Sequence, residues 1–202
     1  MGTMRLCRGD LFKTLSDESV AIAHGCNVLG AMGAGIAYDV KRIFPAMFDE
    51  YKELCENKKL GPGDFFYSPQ RLKGQPVNVY NLMTQTGLNG ADIQFIRTAF
   101  ERMFEDANKK GIKTINIPMI GAGLGGITPT TCLNIYLETV ERFNGRLNVI
   151  VQYVENVVPH EIVDDRNDPR NQYKRAKAIA EKEALARQVA GIVEKRAEEN
   201  KG

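Results

Sequence analysis

The spacing of apolar and polar positions divides the first 163 residues into short apolar runs and longer amphipathic stretches. Residues 4–7 and 20–24 are compact apolar runs, each followed at once by a glycine-containing loop. Residues 77–83 (VNVYNLM) alternate with the period of two expected of a strand, and residues 112–117 and 147–154 read as further strands. Between these runs the spacing turns helical. Residues 35–43 predict a helix that stops at Phe44-Pro45, because proline disfavours the α conformation in the residue before it. Residues 46–57 set Met47, Tyr51 and Leu54 on one face. Residues 92–110 carry Ile93, Ile96, Phe100, Met103 and Phe104 at helical spacing, and Gly111 supplies a stop. Thr128 and Pro129 make a helix start, a capping hydroxyl followed by a residue with no N–H to satisfy. Leu133, Tyr136, Leu137 and Val140 form the apolar face of that helix, which Asn144-Gly145 ends. Strands alternating with helices imply an α/β fold, its parallel or mixed sheet covered on both faces, with ligands held outside the carboxyl ends of the strands.

The pattern changes at Asp164. Residues 164–172 are polar, contain Pro169 and read as a linker, whereas residues 173–202 have the Ala, Glu, Lys and Arg content of a helix. The chain thus divides into a domain at 1–163, a linker and a charged C-terminal helix. Residues 164–202 hold ten Lys/Arg and eight Asp/Glu, so 10 − 8 = +2 accounts for the net charge of the whole chain. So small an excess argues against a nucleic-acid or membrane-surface partner and favours packing of the helix on the body or on a sister chain. With 43% hydrophobic and 26% charged residues in 202, the composition excludes a disordered chain. Four cysteines (Cys7, Cys26, Cys55, Cys132) without a CxxC pair, and only two histidines, predict neither a disulfide framework nor a multi-histidine metal site. No signal-peptide pattern opens the sequence, so the expected compartment is the cytoplasm.

Two loops concentrate glycine, and each follows an expected strand: residues 30–36 (GAMGAGI) and residues 121–127 (GAGLGGI). Glycine lets the backbone approach a ligand with its N–H groups turned inward, and a helix start behind the loop favours anions. One such loop would read as a tight turn; two in equivalent places predict a grip on a diphosphate. The second also satisfies G-x-G-x-x-G (Gly121, Gly123, Gly126), with Glu155 ending the next strand, which keeps a nicotinamide-dependent oxidoreductase as an alternative. That motif normally opens its fold, and here it comes late. His24 and Asn27 precede the first loop. Asparagine donates and accepts without titrating, which suits a ribose diol; histidine supplies an acid or base near neutrality, or else a hydrogen-bonded core residue. Cys26 lies in the same segment with His24 as its only basic neighbour. Asp10 reads as a turn residue or as an acceptor for an exocyclic amine. No Walker lysine follows either loop and no carboxylate cluster accompanies them, so no metal and no cofactor is expected.

Taken together, Gly9, Asp10 and Leu11 after the first strand, then Asn27, then Met32, Gly33, Ala34, Gly35, Ile36 and Ala37, and finally residues 117–125 (IPMIGAGLG) resemble a macro domain, the ADP-ribose-binding module. The resemblance covers residues 4–155. It implies a three-layer α/β/α fold with a mixed central sheet, outside which the C-terminal helical tail falls. It also implies that Asp10 meets the adenine amine and Asn27 the distal ribose. Gly9, Leu11, Gly33, Ala34, Gly35, Ile36, Thr84, Gly121, Ala122, Gly123, Leu124, Gly125 and Gly126 would line the rest of the ADP-ribose site. Within the family the pattern is similar to ADP-ribose-1″-phosphate phosphatases, and to the glycohydrolases of terminal ADP-ribose together with the antitoxins that strip ADP-ribose from DNA. The latter group uses a lysine after the strand-end threonine, where this chain has Gln85 after Thr84. Terminal glycohydrolases use an aspartate where this chain has Gly125. Both departures argue against a lysine adduct. The expectation is therefore a hydrolase of ADP-ribose derivatives in which Asn27 orients the distal ribose and His24 activates water or assists the leaving group. The alternative is a non-catalytic reader of an ADP-ribose signal.

Overall fold

The computed structural model describes residues 2–12, 20–87, 90–143 and 147–153. The expected linker and terminal helix lie outside the described residues, as does Glu155. In chain order the elements are β1 (Met4–Arg8), β2 (Val20–Asn27), α1 (Gly35–Ile43), α2 (Pro45–Glu56), β3 (Phe65–Leu72), β4 (Gln75–Gln85), α3 (Ile93–Lys109), β5 (Thr114–Pro118), α4 (Pro129–Arg142) and β6 (Asn148–Tyr153). The strands form one sheet in the order β1-β6-β5-β2-β4-β3. All neighbours run parallel except β3 and β4, so the sheet is mixed.

β3 departs from the sequence reading, which left residues 65–72 unassigned. Pro69 interrupts that run, and proline removes a ladder hydrogen bond. It is tolerated because β3 is the last strand of the sheet and offers one side to no partner. Lys73 (φ 50°) and Gly74 (φ 82°) close the β3–β4 hairpin in the doubly positive conformation of a two-residue turn.

Side-chain alternation along the strands separates two apolar layers. Ala21, Ala23, Tyr80, Leu82, Ile115, Ile117, Val149 and Val151 face α3 and α4, which bury Ile96, Phe100, Met103 and Tyr136 against them. Ile22, Cys26, Val77, Val79 and Met83 face α1 and α2, covered by Val40, Met47 and Tyr51. The result is a three-layer α/β/α sandwich. Local chemistry sets the helix ends, at Thr128 and Gly111 as the sequence predicts and at Asp92 in addition. The Asp92 carboxylate accepts from the backbone N–H of Gln94 and Phe95, and the Thr128 hydroxyl accepts from Thr131 N–H. After α3, Gly111 N–H donates to Asn108 and Ile112 N–H to Ala107, the paired bonds of a Schellman stop. No helix of the described residues is long and apolar enough to cross a membrane.

Candidate functional site

The five parallel strands β1, β6, β5, β2 and β4 end along one edge of the sheet, and the segments leaving them enclose a cleft of about 930 Å³. Gly9, Leu11, Gln152 and Tyr153 line its β1/β6 end. The segment at 33–37 and residues 118–121 and 123–125 line its middle, and Asn27, Thr84 and Gln85 line its β2/β4 end. Among the described residues no lysine, arginine or histidine lines the cleft, and Asp39 is its only charged side chain. The described lining thus presents backbone groups, the neutral amides of Asn27, Gln85 and Gln152, the Thr84 hydroxyl and one carboxylate.

Of the residues the sequence singled out, the cleft brings together Gly9, Leu11, Asn27, Gly33, Ala34, Gly35, Ile36, Thr84, Gly121, Gly123, Leu124 and Gly125. Ala122 and Gly126 do not line it. Asp10 sits between two lining residues, exposed, its carboxylate accepting the Phe12 N–H at 2.9 Å in a tight turn. The two glycine loops differ in the helix behind them. α1 begins after Ala34 with no side-chain cap and no acidic residue in its first turn, which leaves the first-turn N–H groups without a side-chain partner, and Gly35, Ile36 and Ala37 of that turn line the cleft. The start of α4, by contrast, is closed by Thr128.

Asn27 is 6% exposed and is itself the frame of the first loop. Its Oδ1 accepts the N–H of Leu29 (3.0 Å) and Ala31 (3.2 Å), while Nδ2 donates to the Ala31 carbonyl at 2.8 Å. From α2 the buried Tyr51 hydroxyl donates to the Asn27 carbonyl at 2.6 Å, with Oδ1 at 3.2 Å. The neighbouring strand slips register here: Cys26 pairs with Met83 but Asn27 with Gln85, leaving Thr84 as an extra residue. Such a bulge re-aims side chains, and it lets the consecutive Thr84 and Gln85 both reach the cleft.

His24 does not agree with the role expected of it. Its ring is fully buried on the α1/α2 side of β2 and does not line the cleft. Nε2 lies 2.8 Å from Asn81 Oδ1, and Asn81 Nδ2 donates to the Phe66 carbonyl, so the amide presents an acceptor and the imidazole must donate from Nε2. That leaves Nδ1 to accept from the Cys26 thiol, 3.6 Å away. Burial pushes the His24 pKa down to about 4 against the opposing effects of the Asn81 and Gly25 hydrogen bonds. Burial likewise pushes the Cys26 thiol up, helped by the nearby Cys55. Cys26 lines the cleft, but as a neutral thiol donating to a neutral imidazole rather than as an ion pair primed for attack.

Gly125, where the resemblance leads one to expect an aspartate, leaves no room for a side chain. A Cβ there would lie 2.6 Å from Gly121 Cα and 2.9 Å from Ala91 Cβ. Gly121 itself has φ +83°, a conformation open to glycine. The sequence reading missed Asp39, Met119, Ile120, Gln152 and Tyr153 as cleft residues, and it named Gln85 only for the lysine it replaces. Position after an expected strand was the available signal for Gln152 and Tyr153.

The family model described as Macro domain matches residues 23–136. The chain is 25% identical over 168 residues to the DNA ADP-ribosyl glycohydrolase of Thermus aquaticus, covering 83% of this chain and 46% of that protein. It is 33% identical over 75 residues to the ADP-ribose 1″-phosphate phosphatase of Meyerozyma guilliermondii, covering 37% of this chain and 43% of that one. It therefore spans less than half the length of either curated relative. Among solved structures it shares its fold with Thermosipho africanus DarTG in complex with ADP-ribose, at a TM-score of 0.69 and 20% identity, over 82% of this chain and 46% of that one.

Proposed function

The chain belongs to the macro domain family, and from that premise we propose that its cleft binds ADP-ribose and hydrolyses an ADP-ribose derivative, ADP-ribose 1″-phosphate first among them. The observation that carries the reading is the pairing of two glycine loops, after β2 and after β5, across the middle of one cleft. An uncapped helix start and glycine backbone suit a diphosphate where no side-chain cation lines the cleft among the described residues. The apolar and aromatic β1/β6 end, with Leu11 and Tyr153, suits a flat base. Asn27, Thr84 and Gln85 at the opposite end suit a sugar and its 1″ substituent. Hydrolysis there adds water to phosphorus and breaks the bond to the ribose oxygen, which takes up a proton, giving ADP-ribose and inorganic phosphate. Backbone N–H groups of the glycine loops would stabilise the charge that develops. Asn27 orients the ribose, and His24 is reassigned from the chemistry to the core. The relatives named as a glycohydrolase and a phosphatase of ADP-ribose compounds support the substrate class. A cytoplasmic setting belongs to the same reading, supported by four cysteines that remain unpaired.

A second reading, a non-catalytic ADP-ribose reader, is favoured by one feature: His24 is neutral and buried, Cys26 stays protonated, and Gln85 and Gly125 cannot titrate. Phosphorus NMR of the protein with ADP-ribose 1″-phosphate separates the two. Inorganic phosphate appearing in proportion to protein, and at least ~10²-fold more slowly with Asn27→Ala, is the outcome expected of a hydrolase. Diphosphate resonances that shift or broaden without release identify a reader. Spectra unchanged at millimolar ligand would overturn both.

A further inference from the structure

Asp39 is the one charged side chain that lines the cleft among the described residues, and the proposed function gives it no task. A carboxylate is out of place beside a ligand whose diphosphate repels it. The fold does not call for it either. Asp39 lies beyond the first turn of α1, where an acidic side chain would favour the helix dipole. Its ion pair with Arg42, one turn along the same helix, spans 3.6 Å, with the Asp39 side chain 44% and the Arg42 side chain 70% exposed, and so contributes little. The helix also sets where the carboxylate stands. Asp39 follows Gly35 by four residues and Ile36 by three, so the three share one face of α1, and all three line the cleft. One helical turn, about 5.4 Å, separates Asp39 from the helix start that meets the diphosphate. α1 packs on β2 and α2 on β3, so by the strand order α1 is the nearer of the two to the β1/β6 end.

We infer that Asp39 is a specificity-determining residue that accepts from the hydroxyls of the ligand's proximal ribose and excludes ligands phosphorylated on that ribose. The inference rests on the proposed reading of the cleft as an ADP-ribose site with the base at the β1/β6 end and the diphosphate at the start of α1. A nucleotide held that way has its proximal ribose between those two points, which is the stretch of cleft that Asp39 borders. An ionised carboxylate only accepts, through two oxygens, and a vicinal diol offers two donors. The pairing turns the one unfavourable charge of the cleft into a charge-assisted bond. A phosphate on either hydroxyl removes a donor and sets a dianion against the carboxylate, in a cleft with no cation among its described lining residues.

Calorimetry in low salt compares ADP-ribose with three counterparts altered only on the proximal ribose: the 2′-phosphate, the 2′-deoxy and the 3′-deoxy compounds. The wild-type protein should prefer ADP-ribose to the 2′-phosphate by about tenfold or more, and 0.5 M salt should shrink the preference because the carboxylate is half exposed. Loss of a hydroxyl should cost at least one deoxy ligand about fivefold in affinity. Asp39→Asn keeps an acceptor and removes the charge, so the preference over the 2′-phosphate should fall to within about threefold. Asp39→Ala removes both, and the deoxy ligands should then bind within about twofold of ADP-ribose. A change that merely disturbs α1 weakens all four ligands alike, so the ratios are the readout. Equal ratios in wild type and variants overturn the inference while the cleft reading stands. Deoxy ligands that bind the wild-type protein as well as ADP-ribose also overturn it, because the carboxylate then acts through charge alone. If the protein binds none of the four, the cleft reading falls and the inference with it.

Discussion

The buried His24 makes a sharp prediction about acid. In the folded chain its pKa is held down at about 4 by burial, whereas an unfolded histidine titrates near 6.5. Between these values the unfolded state binds a proton that the folded state refuses. Stability therefore rises with pH across the window and is lost as pH falls from 6.5 towards 4. The loss is about 2 kcal/mol at pH 5 and about 3 kcal/mol by pH 4, a large share of the 5–15 kcal/mol typical of a domain. The ring is fully buried, so solvent does not screen the effect. The variant that isolates it is His24→Gln, which retains an N–H donor for Asn81 Oδ1 and has no titrating group. Urea unfolding of both proteins at pH 7.5, 6, 5 and 4.5 gives the difference in stability at each pH. Carboxylates and His160 are common to both chains and cancel. At pH 7.5 the variant should be the less stable, since glutamine fills the space of the ring poorly. By pH 5 the gap should have moved by about 2 kcal/mol in the variant's favour. Parallel pH slopes would refute the reasoning, because they would mean that His24 titrates alike folded and unfolded. Ligand affinity supplies an independent check. A core histidine leaves ADP-ribose binding in His24→Gln within a few-fold of wild type at pH 7.5.

Three further outcomes follow from the site. Gly125→Asp should lower the melting temperature and weaken ADP-ribose binding without conferring glycohydrolase activity, since its Cβ would lie 2.6 Å from Gly121 Cα and overpacking of this kind costs about 1–3 kcal/mol; an unchanged melting curve would contradict the packing argument. Gln85→Lys should tighten ADP-ribose binding by about fivefold in low salt, an advantage that shrinks in 0.5 M salt, because it places a cation in a cleft with none among the described residues; calorimetry at two salt concentrations reads this directly. Tyr51→Phe removes the hydroxyl bonded to the Asn27 carbonyl at 2.6 Å and should cost about 1 kcal/mol of stability, with a several-fold rise in the ADP-ribose Kd.

Whatever short-range chemistry decides was legible in the sequence. Thr128 announces a helix start because a cap acts over three residues, and Gly111 announces a stop for the same reason; the Asp92 cap, equally local, went unread. Both glycine loops were visible because strand, loop and helix follow one another directly. What depended on distant partners was not. Pro69 argues against a strand until β3 is known to be an edge, which its own eight residues cannot say. His24 is separated from Asn81 by 57 residues, and only that pairing fixes it as a core group. Its alternation with Ile22 and Cys26 was readable, but whether that face met helices or ligand was not. Gln152 was passed over as part of an apolar strand, because its partner Asn116 lies 36 residues away on another strand.

The same contrast bears on how this cleft can hold a charged ligand. A site built from lysine and arginine attracts a diphosphate from a distance and weakens steeply as salt rises. Here the lining offers uncapped helix N–H groups, glycine backbone and the amides of Asn27, Gln85 and Gln152, with Asp39 adding a negative charge. Partial charges of this kind act at hydrogen-bond range and depend on orientation, so selectivity must come from fit. Fit in turn requires the loops to be held, which explains why Asn27 has its side chain engaged with Leu29 and Ala31 and its carbonyl tied to Tyr51. On the proposed reading, the β2–α1 loop framed by Asn27 is the means by which a cleft with no cation among its described lining residues would hold an anion, and the His24–Cys26 pair of β2 adds no charge to it.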